Sequence, residues 1–125
     1  YNPPRTELLS PVMVPEYLEL VAKNIQQAGV PADDVVKDPQ PLGSSDLGNV
    51  GHAYPTVNIM FKVAPKTVAL HEDAMLKYTV PDEGWPAAVQ AARAVALSAH
   101  DLLSDPEKTK RIVGKFQELK ATEGK

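Results

Sequence analysis

Apolar positions recur at spacings of three and four in three stretches of the chain and alternate in a fourth. Between Pro15 and Ala28, the residues Leu18, Val21, Ala22, Ile25 and Ala28 make one stripe, with Lys23, Asn24 and Gln27 on the other side. That pattern predicts an amphipathic helix. Pro15 suits its first turn and Gly29 the position just past its end. From Gly84 to Leu103 a second helix is predicted, rich in alanine and carrying Val89, Val95, Leu97, Leu102 and Leu103 around much of its circumference. A helix apolar on most sides is expected to be buried on most sides, with Trp85 anchoring its start. Ser104 to Leu119 predicts a third helix. Ser104 and Glu107 have capping-box spacing, Pro106 stands in the first turn, and Ile112, Val113, Phe116 and Leu119 form the stripe.

Alternation marks the fourth stretch. Thr56 to Val63 is β-branched with period two and predicts a strand that Pro65 ends. Thr67-Val68-Ala69-Leu70 predicts a second short strand, and Val35-Val36 could add another. Val30 to Pro41 reads as a connector rich in Pro and Asp, and its acids lack the spacing of an EF-hand. The leading residues 1–14 hold Pro3, Pro4 and Pro11, which disfavour helix and call for something to lie against. Helices flanking two or three short strands predict an α/β fold, a partial three-layer sandwich in which helices cover a small sheet. So few strands make a poor sheet alone, so the sheet is expected to be completed by residues from elsewhere.

Composition narrows the partners. At 125 residues the chain is expected to be one domain. A net charge of −3 with no basic block argues against nucleic acid, which needs clustered Lys and Arg. There is no cysteine, so disulfides and Cys-ligated zinc are excluded; a reducing compartment is compatible with this, and a cytoplasmic setting is expected. No apolar run approaches the ~18–20 residues of a membrane span, and no signal peptide is legible. The first residue is Tyr rather than Met, which reads as a processed chain or a piece of something longer.

Candidate chemistry concentrates in Leu42 to Gly51, where Gly43, Gly48 and Gly51 alternate with Ser44, Ser45, Asp46 and Asn49. Glycines permit close approach of backbone, and hydroxyls and amides supply short-reach hydrogen bonds, the layout of a binding loop beside a strand. No phosphate-loop or dinucleotide motif is present. His71 follows the second short apolar run, a typical ligand position, although a lone His is more often structural. His52 and His100 have the same structural explanation. A serine hydrolase built on Ser44 or Ser45 is disfavoured because the Gly-x-Ser-x-Gly elbow is missing.

Gly43-Ser44-Ser45-Asp46-Leu47-Gly48-Asn49-Val50, Pro55 five residues on, and the step Ala69-Leu70-His71-Glu72 together resemble the C-terminal part of the aminoacylase-like metallo-amidohydrolases. Among these the chain is most similar to the branch of p-aminobenzoyl-glutamate hydrolase and related amidases. Ser45 stands where Thr is common there, and Asn58 interrupts the strand. The resemblance implies that residues 1–125 are the C-terminal part of a zinc-exopeptidase-like catalytic domain, whose N-terminal half and lid or dimerisation domain lie outside this chain. It implies a small-molecule amide substrate: an N-acyl amino acid, aminobenzoyl-glutamate or a dipeptide. It implies two divalent metal ions, zinc with manganese or cobalt as alternatives, held mostly by the N-terminal catalytic half. His71 would be the metal ligand from this segment, which would carry no catalytic residue of its own. Ser44, Ser45, Gly48 and Asn49 would face the substrate, and Asp46 would fix the loop. The complete enzyme would be a homo-oligomer and the isolated chain inactive. The alternative is a non-catalytic binding or assembly subunit.

Overall fold

The computed structural model describes residues 9–37, 45–65 and 67–123. Its order is α1 (Pro15–Gln27), a 3-10 turn (Ala32–Asp34), α2 (Leu47–Ala53), a 3-10 helix (Asp73–Tyr78), α3 (Pro81–Ser104) and α4 (Pro106–Glu123). The expected α/β sandwich is therefore overturned. The fold is all-helical, and no strand or sheet occurs among the described residues. Thr56 to Val63 is neither helix nor strand, and no second strand lies beside it among the described residues. Without a ladder its backbone stays outside any sheet, and Met60 and Phe61 are left exposed. Thr67 to Leu70 is turn and bend leading into the 3-10 helix. Val35-Val36 forms no strand either.

α1 begins and ends where its punctuation puts it. Pro15 occupies the first turn, and the amides of Tyr17 and Leu18 donate to the carbonyl of Val14. At the far end Ala28 N–H donates to Asn24 O, and Gly29 takes φ +104, a left-handed turn that glycine adopts without strain. Its buried side, however, is Leu20, Val21, Ala22, Asn24 and Ala28. Asn24 therefore lies inside rather than on the solvent side.

α3 starts three residues before the sequence-based boundary, with Pro81 at its first position. Its 24 residues span about 36 Å. Its alanines let it lie close to α1, not to a sheet. Ala94 is fully buried there, while Trp85, Val89, Val95 and Leu103 are exposed, so the expectation of a helix buried on most sides fails.

The cap of α4 is Asp105, not Ser104. Lys108 N–H donates to Asp105 Oδ1 at 2.9 Å, and Glu107 pairs with Lys110 at 2.7 Å instead of reaching back. Ile112 and Phe116 from α4 close on Val12 and Val14 of the leading segment, with Tyr17, Leu102 and Leu119 packed around them. This cluster joins the leading segment, α1, α3 and α4. No helix among the described residues is long and apolar enough to cross a membrane.

Candidate functional site

Four places carry candidate chemistry. The first is the glycine-rich stretch, of which Ser44 lies outside the described residues. Ser45 Oγ accepts the Leu47 amide at 3.2 Å, and Asp46 O accepts the Asn49 amide at 2.9 Å; together these start α2. Asp46 thus fixes the turn through its backbone carbonyl rather than its carboxylate, which is met by Ser45 Oγ at 3.5 Å.

The openness that glycine confers here is used by the chain itself. A Cβ on Gly48 would fall 1.7 Å from the carbonyl oxygen of Leu9, and one on Gly51 would fall 2.6 Å from Pro11 Cβ. Asn49 Oδ1 accepts the Leu9 amide at 3.3 Å, and Gly51 O accepts the Val12 amide at 3.3 Å. α2 is thus a bed for residues 9–12. Gly48 and Asn49, read from sequence as substrate contacts, hold the leading segment.

The second place is His71. It is exposed and sits at φ +69, a left-handed backbone uncommon for a residue with a Cβ. Among the described residues no three His, Asp or Glu side chains are placed to share a metal ion. Among the described residues, therefore, no set composes a metal centre on its own.

The third place is polar. Asn24 is 0% exposed, and its Nδ2 donates to Ser98 Oγ at 3.2 Å and to Asp101 Oδ2 at 3.1 Å. Ser98 Oγ in turn donates to Ala94 O at 2.8 Å. Asn24 Oδ1 is buried with no donor in reach among the described residues. Swapping the amide would aim this oxygen at the Asp101 carboxylate, so the unpaired oxygen is the lesser cost. The hydrogen bond from Asn24 holds the Asp101 carboxyl below the ordinary carboxylate range, helped by Lys108, His100 and Lys23 against its partial burial. Around it runs a groove of about 320 Å³ lined by Glu16, Glu19, Leu20, Lys23, Asp101 and Lys108. Arg111 holds Glu16 at 2.9 Å and Lys37 holds Glu19 at 2.7 Å. The acids here have partners within the chain, and the groove is a seam between helices. Sequence reasoning missed Asn24, and only its place in the run Leu20, Val21, Asn24, Ala28 marks it as inward.

The fourth place is apolar. Phe61, Val63, Tyr78, Thr79, Val80, Gly84, Trp85 and Ala88 line an open groove of about 330 Å³. Gly84 lets the first turn of α3 approach Tyr78, whose carbonyl oxygen would lie 2.4 Å from any Cβ there. Trp85 is 65% exposed and Phe61 50% exposed at its rim. Large aromatics left at a groove edge characterise a surface that receives another apolar body. The alternating run at 56–63, which supplies Phe61 and Val63, was the signal for this site, although it pointed to a strand.

Comparison of the chain with known protein families, characterised proteins and solved structures finds no match.

Proposed function

We propose that this chain is a helical assembly module that docks on another protein body through the apolar groove of Phe61, Val63, Tyr78, Val80, Trp85 and Ala88. The carrying observation is that groove: large apolar side chains meet there, two of them half-exposed or more, while the acids of the polar groove have partners within the chain. Burial of such a surface supplies association free energy of roughly 25 cal/mol per Å² before the costs of ordering are subtracted. Trp85 is the one tryptophan of the chain and lines the groove, so its emission reports the occupant directly. Its emission should shift to the blue when the protein is concentrated or when an apolar naphthalene-sulfonate dye is added. Phe61→Glu should abolish both shifts. Neither shift in the unmodified chain would sink the reading.

A narrower reading follows the resemblance: the receiving body would be the N-terminal half of a metal-dependent amidohydrolase, and this segment would bring it His71. What favours it is the exposed imidazole on a left-handed backbone, a conformation that collects at functional sites. Its role would be to present one ring nitrogen to a cation held by the other body. Metal content and aminobenzoyl-glutamate hydrolysis should be measured on the protein purified with its natural partner. Both should fall in His71→Ala, and retention of both excludes this reading.

A further inference from the structure

The side of α3 turned away from α1 carries Trp85, Val89, Ala92, Ala96, Ala99 and Leu103, and every one of them is exposed. Their spacings are four, three, four, three and four. That 3.5-residue period is the seam by which one helix meets another, narrower than the stripe of a helix lying on a broad core. Leu103 is 84% exposed at one end and Trp85 65% at the other. The pattern also reads the same in both directions. Laid antiparallel on itself, with the two-fold axis between Ala92 and Ala96, the helix sets Trp85 opposite Leu103 of the second copy. Val89 then faces Ala99, and Ala92 faces Ala96. Alanine on alanine at the centre lets the axes come to about 8 Å, the close end of helix packing.

We propose that the chain pairs with a second copy of itself through this face, antiparallel and two-fold symmetric. The inference rests on the assembly reading and names its partner. Two further features fit this occupant. Val95, 55% exposed beside the seam, meets its own symmetry mate in this register and widens the apolar contact. Trp85 also lines the groove of Phe61, Val63 and Tyr78, so the incoming Leu103 covers the open end of that groove, and the symmetry repeats this twice. A self-complementary patch of this kind closes into a dimer and does not propagate.

The size of the contact sets its strength. From Trp85 to Leu103 the seam runs about 27 Å, and with a helix width of about 10 Å the footprint is roughly 300 Å² per copy. That is roughly 600 Å² in total, and with both grooves added the contact stays below the ~1,200 Å² where standard specific interfaces begin, in the range of weak, transient pairing. A weak dimer, populated only at high protein concentration, is therefore expected. The register also brings Arg93 to its own mate at the rim, so raising salt should tighten the pair, the reverse of an interface held by ion pairs.

The chain has no cysteine, which makes the register directly testable. Chains carrying Ala92→Cys and chains carrying Ala96→Cys are mixed and oxidised, and each is also oxidised alone. The antiparallel seam predicts a disulfide in the mixture and little in either alone. Self-linking of Ala92→Cys overturns the register. Sedimentation of the full chain should show dimer with rising concentration, lost in Ala96→Glu with helix content unchanged by circular dichroism. A monomer at every concentration overturns the proposal. Association that survives Ala96→Glu and is lost in Phe61→Glu overturns the self-pairing seam while leaving the docking groove standing.

Discussion

The two sides of α3 have opposite fates. On the inner side Ala94 and Ser98 are buried against α1, and Asn24 reaches across to Ser98 and Asp101. On the outer side Val89, Val95 and Leu103 stand in solvent. Hydrophobicity does not separate them, since the outer side is the more apolar of the two. What separates them is a pairing partner. The inner face holds a polar pin that fits one register of α1, whereas the outer face has shape and no pin.

This contrast can be broken at the core first. Phe116→Ala removes the ring that closes α4 on Val12 and Val14 and should cost about 3–5 kcal/mol, read by denaturant unfolding. If it costs little, the helices are not held as described. A matched pair then tests the two faces of α3 against each other. Ala94→Leu should destabilise by about 1–3 kcal/mol through overpacking, and Ala96→Leu by no more than about 0.5. Equal costs would mean that the faces are not distinct. Asn24→Ala should cost about 1–3 kcal/mol, because Ser98 loses a partner inside the α1–α3 seam. Measured at concentrations where the chain is monomeric, outer-face Leu103→Ser should leave unfolding unchanged within about 0.5 kcal/mol.

The smallest effect is on pH. Asp101 and Asp105 both titrate below the ordinary carboxylate range, Asp101 chiefly through Asn24 and Asp105 through the Lys108 amide that it caps. Because the folded values are depressed, their contribution is complete above the unfolded carboxylate range and is lost as pH falls through the folded values. Thermal stability should therefore fall in acid, and Asp101→Asn should flatten that dependence. An unchanged acid limb would remove Asp101 from the account.

Gly48 shows how far local reading reaches. A glycine-rich stretch announces that something approaches the backbone, but not what. Here it is Leu9, almost forty residues earlier, and any side chain at position 48 would strike its carbonyl. Asp46 was legible as a turn residue because its hydrogen bonds are local, whereas Ser45, read as facing a substrate, accepts the Leu47 amide instead. Thr56 to Val63 misled for the opposite reason: alternation records a surface with two unlike sides, and a strand exists only when a second one pairs with it. Asp105 displaced Ser104 as the cap by one residue, a difference that depends on which side chain can reach the Lys108 amide.

The sequence by itself determined where α1, α3 and α4 run, while α2 reads from sequence as a loop. Pro15 and Gly29 bracket α1, alanine fills α3, and Pro106 starts α4, all through interactions within a few residues of each other. Only the tertiary structure decided that no sheet forms among the described residues, that Asn24 is buried, that α2 cradles residues 9–12, and that one side of α3 is covered and the other open. Helix boundaries follow from nearest neighbours along the chain. Burial depends on which surfaces, distant in sequence, fit each other closely enough to exclude water, and periodicity alone does not carry that information.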